Sequence, residues 1–177
     1  VLGGEEPLDQ SFDVEPTALH QLTTELRRIF ETVVLDLPRH LVASSGPTLA
    51  DAGALALVTD LSLAGLRDTV RIKAGLAKLA PQTPLVVIAN RTGLTKGGEL
   101  SVPDFERGLG GKVDFVVPEE PRAGKAVLGG KPLAAALRGS RSGEAMRAAA
   151  RRLGGVDQAG ERGLRRWLAR WKAAGHA

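Results

Sequence analysis

The sequence predicts an α/β fold, a three-layer parallel sheet with helices on both faces, and three observations carry that expectation. Short β-branched apolar runs alternate with amphipathic helical patterns along the chain. The first two runs are separated by a stretch of about 15 residues, which suits a crossover and not a tight hairpin. Each run also ends in polar or turn-forming residues, as strands do in sheets whose sites lie beyond their carboxyl ends.

Residues 16–30, PTALHQLTTELRRIF, place a proline in the first turn and repeat apolar side chains at Leu19, Leu22, Leu26 and Ile29. This is the period of an amphipathic helix. TVVLDLP, residues 32–38, is a β-branched run closed by proline and reads as a buried parallel strand; GALALVTD, residues 53–60, reads likewise. Residues 62–80 form a helix with Leu63, Leu66, Val70 and Ala77 on one face and Arg67, Arg71, Lys73 and Lys78 on others. PLVVIAN, residues 84–90, is a third strand. SVPDFERGLGG, residues 101–111, has a serine cap, a first-turn proline and a glycine stop, hence a short helix. VDFVVPEEP gives a fourth strand, followed by helices in PRAGKAVLGGKP and GSRSGEAMRAAARRLGG and a last one from about Glu161 to Ala174. Residues 1–153 make the α/β body, and 154–177 a linker with a basic amphipathic helix.

A chain of 177 residues that is 43% hydrophobic can bury an ordinary core. No apolar run reaches the roughly 18 residues of a membrane span, and VLGGEEPLDQ is no secretory leader, so a soluble, cytoplasmic domain is expected. The chain begins at Val1 and not Met, so further residues are expected upstream. The absence of cysteine excludes disulfides and thiolate chemistry, and His20, His40 and His176 are too scattered for a local zinc motif. Residues 138–177 hold 10 Lys/Arg against 3 Asp/Glu, whereas residues 1–137 hold 14 against 17. An anionic partner would therefore meet the C-terminal end.

Parallel strands would gather four polar tips on one rim: Asp36 with Pro38 and Arg39; Thr59 with Asp60; Asn90 with Arg91; and Pro118 with Glu119 and Glu120. Asp36, after an apolar run, suits a Walker-B-type carboxylate that holds Mg²⁺ directly or through water, or equally an aspartate that accepts turn N–H groups. Asn90 could pair with an adenine edge or serve a turn, and the Pro-Glu-Glu-Pro segment could flank a base or be a plain loop. No G-x-x-x-x-G-K-[ST] cradle occurs, because GK is followed by Val113, Ala126 and Pro132. TKGGELS, residues 95–101, has a KGG but no second lysine and is rejected as a phosphate loop.

In order, TVVLDLPR, LALVTDLSLAGLRDTVRI, VVIANRTGLTKGGELSVPDFERGLG and FVVPEEPRAGKAVLGGKPLA resemble the C-terminal half of the CpaE/TadZ pilus-assembly proteins, members of the MinD/ParA superfamily. The resemblance implies a P-loop-type fold whose first strand and Walker A loop lie upstream of Val1. Asp36 would then be the catalytic and metal-facing carboxylate, Asn90 and Arg91 the adenine-reading pair, and Pro118, Glu119 and Glu120 the loop closing over the base. It implies ATP and Mg²⁺ in the intact parent, none bound tightly by this chain alone, homodimerisation, partners in Flp/Tad pilus secretion, and placement at a cell pole. A non-enzymatic scaffold with a decayed site and a ParA-like partition ATPase are the alternatives.

In ERGLRRWLARWKAAG, residues 161–175, Leu164, Trp167, Leu168 and Trp171 recur at i, i+3, i+4 and i+7, while Arg165, Arg166 and Arg170 lie on other faces. Such a helix can pack on the sheet or a second subunit, lie on an anionic membrane surface, or, least expected, contact DNA phosphates.

Overall fold

The computed structural model describes residues 15–94, 97–130 and 132–154. In chain order the elements are α1 (Pro16–Ile29), a 3₁₀ turn (Arg39–Leu41), α2 (Gly46–Ala50), β1 (Leu55–Thr59), α3 (Leu63–Leu79), β2 (Leu85–Thr92), α4 (Val102–Leu109), β3 (Phe115–Pro118), α5 (Pro121–Leu128), α6 (Leu133–Ala136) and α7 (Arg141–Leu153). They belong to two units, one formed by the chain up to Ala52 with Ala74–Thr83, the other by Gly53–Lys73 with the chain from Pro84 onward.

In the first unit α1 starts as its sequence demands. The Glu15 side chain accepts from Ala18 N at 2.7 Å and Pro16 occupies the first turn, where its missing N–H costs nothing. The unit is tied by Arg27, which donates to the Asp51 carbonyl at 3.0 Å, and by the Thr83 hydroxyl, which donates to the Leu49 carbonyl at 3.1 Å. Ser45, Thr48 and Leu49 are buried, yet the apolar stripe of α1 is not: Leu22 and Ile29 remain exposed.

The second unit holds the sheet, in the order β1-β2-β3 with both pairings parallel. Leu55 through Thr59 lie opposite Leu85 through Ala89, and Ile88 through Asn90 lie opposite Phe115 through Val117. Four consecutive residues of β2, Val86 to Ala89, are buried, which requires cover on both faces. On one face Leu61, Val87 and Ala89 pack with Phe105 and Leu109 of α4, with Leu66 of α3 against them. On the other, Val86, Ile88 and Val117 pack with Ala149 of α7. The predicted three-layer parallel α/β architecture is thus present.

One predicted strand is not. Residues 32–38 have no regular secondary structure and pair with no strand, and Asp36 sits exposed among them. The reading of TVVLDLP as a sheet strand with Asp36 at its tip is corrected here. β-propensity measures fit to a paired, half-buried surface, and a β-branched run without a ladder beside it gains nothing from its branching. The tail helix of residues 161–174, with Trp167, Trp171, Arg165, Arg166 and Arg170, falls outside the described residues. Among those described, no helix is long and apolar enough to cross a membrane.

Candidate functional site

The carboxyl ends of three parallel strands bring Thr59 and Asp60, Asn90 and Arg91, and Pro118 with Glu119 and Glu120 to one edge of the sheet. Asp36, the fourth predicted rim residue, belongs to the other unit.

At the β1 tip the chain turns directly into α3. The Asp60 carboxylate accepts from Ser62 N at 2.9 Å, and Ser62 Oγ accepts from Gly65 N at 2.9 Å, so an Asx turn and a helix cap follow each other. The bonds from the Ser62 side chain and backbone hold the Asp60 carboxyl below its ordinary range. Gly65 is obligatory here: a Cβ would stand 2.6 Å from the Asp60 carbonyl oxygen and collide with the Asp60 carboxylate. The helix therefore starts almost against the strand end, with its N–H groups at the rim.

At the β2 tip the ladder breaks. Asn90 lies opposite Val117 and Thr92 opposite Pro118, so Arg91 is an extra, bulged residue, and its φ of 56° places it in the left-handed region. A non-glycine residue there is uncommon and strained, and the strain sits where a bulge re-aims side chains. Asn90 Oδ1 accepts from Arg91 N at 3.0 Å, which stabilises the bulge, and Arg91 Nε donates to Glu119 Oε2 at 2.9 Å. Glu119 N in turn donates to the Thr92 carbonyl at 2.9 Å. Sequence reasoning named these residues but not the bulge that joins them.

At the β3 tip Glu120 caps α5. Its carboxylate accepts from Arg122 N at 3.3 Å, Nε at 2.9 Å and Nη2 at 3.0 Å. The Arg122 side-chain bond lowers the Glu120 carboxyl below its usual value against the opposing effect of burial. Glu120 is thus occupied with its own helix, and of the two acidic residues Glu119 alone links two strand tips. The Pro118 carbonyl accepts from Ser142 Oγ at 2.8 Å, which pins α7 to the rim. Ser142 carries no warning in the sequence; Gly65, the third residue after a capping serine, does.

Chemically this edge fits the base half of a nucleotide site. Asn90 keeps its amide donors and a second carbonyl lone pair for an adenine edge, and Arg91 and Glu119 stand beside it. It does not fit the phosphate and metal half. The chain contains no glycine-lysine cradle, and no group of three His, Cys, Asp or Glu side chains that could hold a metal ion exists among the described residues.

No protein-family model and no curated protein matches the chain. Solved structures do. The MinD cell division protein of Aquifex aeolicus superposes with a TM-score of 0.66 at 21% identity, over 80% of this chain and 61% of that one. A ParA family ATPase from Chlorobium tepidum TLS gives 0.63 at 18%, over 75% and 55%. The septum site-determining protein MinD of Pyrococcus horikoshii OT3, complexed with Mg-ADP, gives 0.55 at 19%, over 73% and 53%. The chain thus spans about three fifths or less of the length of these neighbours. The parallel sheet and its two helical layers have the fold of the MinD and ParA ATPases.

Proposed function

We propose that this chain is the base-binding portion of a MinD/ParA-like nucleotide-binding protein that assembles and positions a Flp/Tad-type pilus at a cell pole. The observation that carries the nucleotide part is the rim itself: a strained bulge at Asn90 and Arg91, tied to Glu119 on the neighbouring strand, at the carboxyl edge of a parallel sheet. A fold neighbour complexed with Mg-ADP supports it. The pilus part rests on the ordered sequence resemblance around TVVLDLPR, VVIANR and FVVPEEPRAGKAVLGG. In this reading ATP and Mg²⁺ belong to the intact parent. Asn90 and Arg91 read the adenine, the Pro118–Glu120 segment lies over the base, and Asp36 is the metal-facing carboxylate of the parent. The parent works as a homodimer with pilus secretion proteins.

In this reading the 177-residue chain, whose sequence carries no phosphate cradle, turns over no ATP by itself; a non-enzymatic scaffold with a decayed nucleotide site is the alternative. The test is titration of the parent protein with a fluorescent ADP analogue, beside turnover assays. Asn90→Ala is expected to weaken binding by roughly tenfold, the cost of about one good hydrogen-bonded recognition. Asp36→Asn is expected to suppress turnover while binding persists. Unchanged binding in the first variant, or full activity in the second, defeats the assignment.

A further inference from the structure

β1 and β3 are the two edges of the sheet, and only one of them is blunted. β3 has four residues and closes on Pro118, which has no N–H to offer a further strand. β1 has five, Leu55–Thr59, with no charge, no proline and no bulge. Leu55 N donates to the Pro84 carbonyl at 2.8 Å, which fixes the phase of the ladder: Leu55, Leu57 and Thr59 turn their backbone groups toward β2, and Ala56 and Val58 turn theirs away. Among the described residues no strand pairs with that outer side. The same two residues are exposed, Val58 by 57%. Free N–H and C=O groups on an unprotected apolar strand are the arrangement that recruits another strand.

We infer that this edge is an interface between two copies of the chain, with β1 paired antiparallel to β1 of the second copy about a twofold axis at Leu57, so that the two sheets become one. The register follows from the phase. The alignment that pairs both outward residues of each strand sets Ala56 opposite the second copy's Val58, and Val58 opposite its Ala56, with about four hydrogen bonds between the chains. Leu57 then faces its own counterpart in a non-hydrogen-bonded pair. Side chains agree: Ala56 and Val58 lie in register with Val86 and Ile88, on the face where α7 covers β2 but leaves β1 open, and each large residue meets a small one. Charge agrees as well. Nothing from Ala52 to Thr59 is charged, and each Asp60 comes opposite Ala54, so no like charges meet. A second copy is favoured over other strands because the contact closes at two: the joined sheet ends in the blunted β3 on both sides, with no open edge left to extend it. The surface is small against the about 1,000 Å² of a stable complex, so the dimer is weak and reversible.

Sedimentation equilibrium of the 177-residue chain, with no nucleotide added, is expected to show monomer and dimer in exchange. Ala56→Pro removes an outward N–H and none of the bonds from β1 to β2, so it is expected to keep the far-UV spectrum and weaken dimerisation by roughly tenfold or more. Val58→Lys, a charge on the edge, is expected to do the same. The chain has no cysteine of its own, so single cysteines report the register. Leu57→Cys is expected to cross-link two copies on mild oxidation, since residues opposite in a non-hydrogen-bonded pair lie about 4.5 Å apart between Cα atoms, within disulfide reach. Val58→Cys is not, because its counterpart stands two residues out of register. A chain that stays monomeric at every concentration overturns the inference. So do oligomers that keep growing with concentration, a dimer that both edge substitutions leave intact, which places the contact on another surface, and equal cross-linking at the two positions. Should Ala56→Pro lose its far-UV spectrum, Val58→Lys and the two cysteine variants decide the matter. None of these measurements involves nucleotide, so this interface and the base site at the carboxyl rim can fail separately.

Discussion

Two segments of this chain have nearly the same composition and opposite fates. PLVVIAN enters β2 and has four consecutive residues buried, whereas TVVLDLP has Val34 88% exposed and no strand partner. Both are β-branched, and both carry a polar residue, Asn90 or Asp36, at or near their carboxyl end. The difference is that β2 has a ladder on each side and helices above and below, while residues 32–38 have neither. A strand is thus a property of a pairing and not of a run of residues, and burial follows the pairing.

Paired aspartates put the largest effect on that contrast. Val87→Asp places a carboxylate in the Leu61, Ala89 and Phe105 cluster and is expected to cost at least ~4 kcal/mol, a large share of the stability of an ordinary domain. Val34→Asp is expected to stay within about 0.5 kcal/mol. Denaturant midpoints of the two variants decide it, and equal losses would mean that residues 32–38 are a buried strand in solution.

A smaller effect comes from the close approach that lets β1 share a tip with α3. Gly65→Ala drives a methyl group onto the Asp60 carbonyl and is expected to cost ~1–3 kcal/mol, as overpacking does. Gly75→Ala, on the same helix with nothing within 4 Å of its added Cβ, should instead be neutral or stabilising. Thermal midpoints moving together would show that α3 is not held against the strand end.

The contrast also marks what the sequence can disclose. Periodicity and caps place α1, α3, α4 and α7 to within a residue or two, because a helix satisfies its backbone from its own residues; Glu15 and Ser101 perform the capping themselves. Strands depend on partners far along the chain, so three of four were readable and the fourth was not. At the rim, residue types at the strand tips were legible, since parallel direction alone gathers them. The bulge was not: nothing in Asn90-Arg91-Thr92 announces that Arg91 takes a φ of 56°, which pairing with Pro118 imposes. Nor was the division of labour between Glu119 and Glu120, set by whether the next arginine lies on the same helix or on the neighbouring strand.

Arg91→Gly asks whether the bulge is strained. A left-handed non-glycine residue costs about 1–2 kcal/mol, and an exposed pair such as Arg91–Glu119 returns about 0–1 kcal/mol. The first exceeds the second, so the variant is expected to be slightly more stable, by up to ~1 kcal/mol, even as it loses the rim cation. A clear loss of stability would show that the ion pair, and not the backbone, governs this end of β2.

The smallest effect concerns the ordered β1 tip and appears only as a slope against pH. Hydrogen bonds from the Ser62 side chain and backbone lower the Asp60 pKa in the folded protein relative to the unfolded chain, whose aspartates titrate near ~4. The unfolded state therefore takes up the proton first, and folding stability falls with it. The contribution is complete above the unfolded value, declines as pH drops below it, and is gone once pH has passed through the lowered folded value. Asp60→Asn keeps an oxygen that can accept from Ser62 N but removes the charge, so its stability should vary less between pH 5 and pH 2 than that of the wild type. Because Asp60 is exposed, water screens much of the effect, and the two curves should differ in slope more than in height. Parallel curves would mean that the Asx turn does not persist in solution, and with it would go the fixed geometry that sets the β1 tip apart from the unpaired segment around Asp36.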